Sequence, residues 1–105
     1  ESSYPRYNLI ESGSGFRIDI AVPGWNKTEL EIIADGEELH IKGNKQHKLD
    51  EGERFLHQGL SLKSFERRFI LNPDLQVKDV NLQDGLLTIQ LTRTPNSKRK
   101  ILEIK

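Results

Sequence analysis

Apolar and polar residues alternate along most of this chain. Phe16, Ile18, Ile20 and Val22 alternate with Arg17, Asp19 and Ala21, the period-2 pattern of a strand with one buried face. Pro23-Gly24 ends that run. The same period recurs in Leu87, Ile89 and Leu91 against Leu86, Thr88 and Gln90, and before them Val80 and Leu82 make a matching face. Asp84-Gly85 between the two runs predicts a hairpin, because both residues tolerate positive φ. Leu30 to Ala34 and the pair Leu39 and Ile41 flank a second such turn at Asp35-Gly36. Tyr7 to Glu11 reads as a short edge strand, closed by the turn Ser12 to Gly15. Ser64 to Leu71 places Phe65, Arg67, Phe69 and Leu71 on one strand face, and Asn72-Pro73-Asp74 breaks it. Helical periodicity is absent; Lys27 to Leu30 and Leu60 to Lys63 each suit a single turn. Glu1 to Arg6 reads as a loose leading segment and Thr94 to Ser97 as a linker. Many short strands with Gly and Pro turns point to an all-β sandwich or barrel. About seven or eight strands favour the sandwich.

Composition narrows the function classes more than it identifies one. A chain of 105 residues suits one domain with a modest core. Its 16 basic and 16 acidic residues cancel, so no global field favours nucleic acid or a membrane surface. There is no cysteine, which removes disulfides and thiol chemistry and fits a reducing, cytoplasmic setting. No apolar run is long enough to span a bilayer, and no signal peptide is visible. The chain begins at Glu1 rather than Met, which reads as an excised core.

Candidate chemistry is sparse. His40, His47 and His57 have neither metal-ligand spacing nor cysteine partners, and read as solvated surface histidines. Ser61 and Ser64 lie near His57 without a G-x-S-x-G elbow or an acidic orienter. The carboxylate pairs Glu37-Glu38 and Asp50-Glu51 fall in turns, and the glycines form no phosphate loop. The basic run Lys98 to Lys100 is short and lacks interleaved aromatics. An enzyme, a metal site and a cofactor site are therefore not expected.

Three features resist a bland reading. The polar stretch from Asn44 to Glu53 is long for a compact domain, and it delivers the apolar patch Phe55-Leu56 within Arg54 to Gln58. Arg67 shares a strand face with Phe65 and Phe69, where a charge must be paired, snorkelled or at an interface. Pairing at an interface is favoured over an edge strand that lets it reach water. Ile101, Leu102 and Ile104 form an apolar tail, which invites a docking site elsewhere.

Over essentially its whole length the chain resembles the α-crystallin domain of the small heat shock proteins. The residues that carry the resemblance are Ala21 to Gly24, Leu39 to Gly43, Phe65 to Leu71 and Leu82 to Ile89. Tyr4 to Asn8 looks like the bacterial class A, inclusion-body-associated branch, whose usual form has proline in place of Arg6. Leu102-Glu103-Ile104 is similar to the family's C-terminal I-x-I/V motif, and Asn72 stands where many members have proline.

The resemblance implies an immunoglobulin-like sandwich over residues 1–93 and a C-terminal extension over 94–105. It implies an ATP-independent holdase that keeps unfolding clients from aggregating, works as homodimers built into larger oligomers, and hands clients to ATP-dependent chaperones. The family's N-terminal client-binding arm is expected to be missing here. Within the loop 44–58, Arg54, Phe55, Leu56, His57 and Gln58 match the strand that pairs with a partner subunit, at an edge holding Tyr7 and Leu9. Arg67 corresponds to an arginine of that interface. Leu102 and Ile104 correspond to the motif that docks in a groove, which maps to Leu30 and Ile32 on one side and Val80 and Leu82 on the other. The competing class is a passive module that binds a fixed peptide or carbohydrate, or serves structural assembly.

Overall fold

The computed structural model describes residues 4–45, 49–60, 63–93 and 104. Among these residues seven strands form two antiparallel sheets: β1 Tyr7–Ser12, β2 Gly15–Ala21, β3 Leu30–Asp35, β4 Glu38–Gly43, β5 Phe65–Ile70, β6 Leu75–Gln83 and β7 Leu86–Arg93. One sheet has the order β1-β2-β7-β6 and the other β3-β4-β5. The chain crosses between sheets after β2, through the 3₁₀ turn Lys27–Glu29, and again after β5. The expected all-β sandwich is observed.

The alternation sets the register. Ile18 faces Ile89 and Ile20 faces Leu87 across the β2–β7 ladder, and Ile41 faces Arg67 across β4–β5. A one-residue slip would turn each of these faces outward. Ile18, Ile20, Leu39, Ile41 and Ile89 are fully buried, and Val22, Leu87 and Leu91 complete the contact between the layers. At the β6–β7 hairpin, Asp84 and Gly85 have φ of 55° and 77°, the left-handed pair that the Asp-Gly dipeptide accommodates. Gly43 is required for a different reason. A Cβ there would stand 2.3 Å from the Phe65 ring on the neighbouring strand, so the ring packs directly on bare backbone.

Several boundaries differ from expectation. The β3–β4 turn is Gly36-Glu37, not Asp35-Gly36, because Asp35 still pairs with Glu38 and Gly36 takes the positive φ of 62°. β6 begins at Leu75, two residues early, and a bulge between Val77 and Asp79 absorbs the extra residue. β5 stops at Ile70, although Leu71 stays buried in the core. The leading segment is not loose at Tyr4 and Pro5. Pro5 is fully buried, and the Trp25 indole N–H donates to the Tyr4 hydroxyl at 2.9 Å. Lys27–Glu29 forms the expected single turn. Residues 61 and 62 of the second candidate turn lie outside the described residues.

Candidate functional site: two open edges and a long loop

The two sheets leave four edge strands, which meet in pairs on opposite flanks. On one flank β3 lies near β6. Leu30 pairs with Gly43 and Ile32 with Ile41, while Val80 pairs with Ile89 and Leu82 with Leu87. All four side chains therefore point inward, toward the space between the layers, yet none of them is fully buried. Val80 remains 41% exposed. Leu30, Ile32, Val80 and Leu82 line one cavity of about 240 Å³ with Lys27 and Leu87. The structure thus brings the four expected groove residues together. Of the tail, Ile104 is 96% exposed, and Leu102 lies outside the described residues.

On the other flank β1 lies near β5. Tyr7 meets Phe69 edge-on, with ring centroids 5.1 Å apart. The Arg67 guanidinium sits 5.1 Å over the Tyr7 ring, and its Nη2 donates to the Pro5 carbonyl at 3.0 Å. Its Nε is buried without a hydrogen-bond acceptor among the described residues, a costly state for a charged donor. Leu9, beside it on β1, is exposed, and with Phe69 and Ile70 it lines a second crevice of about 140 Å³.

The connection from β4 to β5 covers residues 44–64, longer than the expected 44–58. Arg54 to Gln58 belong to no strand of their own chain, and all five are exposed, Leu56 at 88%. The root of this loop is held by groups that sequence reasoning missed. Lys45 Nζ reaches Glu29 Oε1 and Oε2 at 2.7 and 2.8 Å and the Gly24 carbonyl at 3.0 Å. It also lies 5.3 Å over the Trp25 ring. The lysine hydrogen bond, with the Asn26 amide adding to it, holds the Glu29 carboxyl below its ordinary value of 4.5. No local pattern marks Lys45 in the sequence; its partners lie 16 and more residues upstream.

The histidines require one correction. His40 is not a solvated group: its side chain is 18% exposed, and Nε2 lies 2.6 Å from Glu38 Oε1. That contact lowers the Glu38 pKa. His57 is exposed and His47 lies outside the described residues. Among the described residues no group of three His, Asp or Glu side chains is placed to hold a metal ion, and no helix is long and apolar enough to cross a membrane.

The sequence profile of the Hsp20/alpha crystallin family matches residues 8–105. The chain belongs to that family. It is 36% identical to the 16 kDa heat shock protein B of Azotobacter vinelandii over 93 residues, covering 88% of this chain and 63% of that protein. It is 40% identical to the small heat shock protein IbpA of Escherichia coli O1:K1 / APEC over 99 residues, covering 91% and 71%. The chain thus spans under two thirds of the Azotobacter protein. Among solved structures, the small heat shock protein of Synechococcus phage S-ShM2 superposes with a TM-score of 0.75 at 37% identity, covering 96% of this chain and 99% of that one. The small heat shock protein AgsA of Salmonella typhimurium, C-terminally truncated, gives 0.77 at 25% identity, covering 96% and 97%. The two-sheet sandwich is therefore the α-crystallin domain of this family, whose named relatives are heat shock proteins.

Proposed function

We propose that this chain is a cytoplasmic, ATP-independent holdase that binds unfolding proteins and limits their aggregation. The observation that carries the reading is the groove of Leu30, Ile32, Val80 and Leu82, four inward-facing apolar side chains that line one open cavity and none of which is fully buried. Such a surface gains free energy by accepting an extended apolar segment, and needs no nucleotide to do so. Leu102 and Ile104 are spaced to point the same way in an extended segment, so the chain's own tail suits the same groove. The working unit is a homodimer in which Arg54 to Gln58 adds as a strand to the β1 edge of a second copy. Strand addition there covers Tyr7 and Leu9 and removes an edge that invites aggregation.

Light scattering of several unrelated, heated client proteins tests the holdase reading. Suppression of all of them without ATP is the expected result. Protection of a single client, or binding to one fixed peptide alone, identifies a passive binding module instead.

A further inference from the structure

We propose that the outer face of the four-stranded sheet carries a binding site for a small phosphate monoester, in the cavity between Arg17 of β2 and Lys78 of β6. The cavity lies on the far side of that sheet from the groove that holds Val80 and Leu82. The proposal therefore stands apart from the holdase reading.

Two ladders and one irregularity bring these residues together. Ile18, Ile89 and Leu91 are buried, so strand alternation turns Arg17, Gln90 and Thr92 to the outer face. The ladders set Ile10 beside Arg17 and Arg17 beside Gln90, and they place Gly15, which has no side chain, between Ser12 and Thr92. On β6, Val77 faces Leu91 and Asp79 faces Gln90, so Lys78 is the extra residue of the bulge. Strict alternation from Val77 would turn Asp79 inward and Val80 outward. The bulge instead returns Val80 to the groove and leaves Lys78 at the outer cavity with Gln90.

The cavity has a volume of about 260 Å³, and Ile10, Ser12, Arg17, Lys78, Gln90 and Thr92 are among the residues that line it. Small-molecule pockets run to roughly 300–1,000 Å³, so this one suits a phosphate group with a small body against Ile10. None of the lining residues is acidic. Two cations therefore flank a row of neutral donors, the Gln90 amide and the Ser12 and Thr92 hydroxyls. Arg17 is held in place: its Nε donates to Asp19 Oδ1 at 3.1 Å and to Oδ2 at 3.3 Å. That contact leaves the two Nη groups as the remaining donors of the guanidinium. Asp19, paired with Arg17, and Asp79, next to Lys78, offset part of the positive charge without lining the cavity. A carboxylate ligand is a monoanion that one cation satisfies. A phosphate monoester carries up to two charges over three terminal oxygens, and can engage both Arg17 and Lys78.

The test is isothermal titration calorimetry of the full chain with phenyl phosphate at pH 7.5 and constant ionic strength. One site per chain is expected. Inorganic phosphate should compete for it, and acetate at the same concentration should not. Arg17→Gln and Lys78→Gln should each raise Kd about tenfold, the loss of one charge-assisted hydrogen bond. Lys78 is exposed, so Lys78→Gln serves if Arg17→Gln fails to fold. Lys42→Gln, on the outer face of the other sheet, should leave Kd unchanged. From pH 7.5 to pH 5 the Kd for phenyl phosphate should rise about tenfold, as the ester passes its second pKa of about 6. The Kd for sulfate should hold over the same range, because sulfate stays a dianion. A wild-type chain that gives no saturable heat overturns the proposal. So does a Kd that Lys78→Gln leaves unchanged, or that Lys42→Gln raises as much as Lys78→Gln does. Competition by acetate, or an equal loss of sulfate binding at pH 5, overturns the assignment to phosphate.

Discussion

Arg67 and Glu29 show two ways in which a charge is held on this small sandwich. Arg67 lies on the inward face of β5, opposite Ile41, where an unpaired charge is expensive. Among the described residues it has one carbonyl acceptor and one aromatic face. A hydrogen bond from a charged donor contributes about 1.5–3 kcal/mol, and a cation over a ring about 0.5–1. Arg67→Ala is therefore expected to lower stability by roughly 2–4 kcal/mol in urea unfolding at a concentration where the chain is monomeric, with a further loss of dimer affinity. Arg67→Lys should recover only part, because an ammonium lacks the planar guanidinium that reaches the Pro5 carbonyl through Nη2 while lying over the Tyr7 ring. Unchanged stability and dimer affinity in Arg67→Ala would place its contribution in solvent. Glu29 is the opposite case, a carboxylate held by a lysine and a backbone amide. Its folded pKa lies below the ordinary 4.5, so its contribution is complete above about that pH and is lost as pH falls through the lower folded value. Trp25 is the single tryptophan and lies beneath the Lys45 ammonium. Its fluorescence should be flat from pH 7 to about 4.5 and shift only in stronger acid, and Glu29→Gln should abolish that step. A step centred above 5 would assign it to another group.

At the scale of the elements, the sequence is legible wherever a residue's neighbours lie within its own strand or turn. The alternation in β2 and β7 and the Asp84-Gly85 turn depend on nothing further along the chain, and they stand as expected. The edge character of β1 was legible in its own short run, whereas the convergence of Leu30, Ile32, Val80 and Leu82 was legible through the family resemblance. What escaped depends on long-range partners. Trp25 reads as a loop residue until Tyr4, Lys45 and Phe65 surround it. The bulge that lets β6 begin at Leu75 is a matter of register against β7, which alternation alone does not encode. The loop's upper end, at Ser64, is defined by a bond to Asn44 at the other end. That loop carries the prediction proper to this scale. Both of its ends belong to strands complete without it, since Gly43 and Phe65 already face each other across β4–β5. Replacing residues 46–62 with a short Gly-containing turn should preserve the sandwich by circular dichroism and give a monomer by sedimentation. A shortened chain that still dimerises would move the interface away from Arg54 to Gln58.

At the scale of the whole molecule, the question is how a marginal contact could build a large assembly. Leu102 and Ile104 entering the groove together would bury two aliphatic side chains, contributing roughly 3–6 kcal/mol at about 1.5–3 each. Ordering a handful of tail residues costs roughly 1–2 kcal/mol apiece for the backbone. The terms nearly cancel, so a single tail should exchange readily, while several tails on one particle add through effective concentration. The groove is lined by Leu30 and Ile32 of β3 and Val80 and Leu82 of β6, with Lys27 and Leu87. Three consequences separate assembly from folding. Leu102→Ala with Ile104→Ala should leave the sandwich and the dimer intact and remove every species larger than the dimer. A synthetic peptide covering residues 98–105, in millimolar excess, should do the same to the wild-type chain by competing for the groove. Val80→Asp should mimic both from the groove side, because a carboxylate there is exposed enough to be tolerated yet opposes an apolar side chain. Native mass and circular dichroism on all three samples give the answer. Large oligomers that persist in each would exclude the tail from assembly. Loss of the fold in the double variant would mean instead that Leu102 and Ile104 pack into the core of their own subunit.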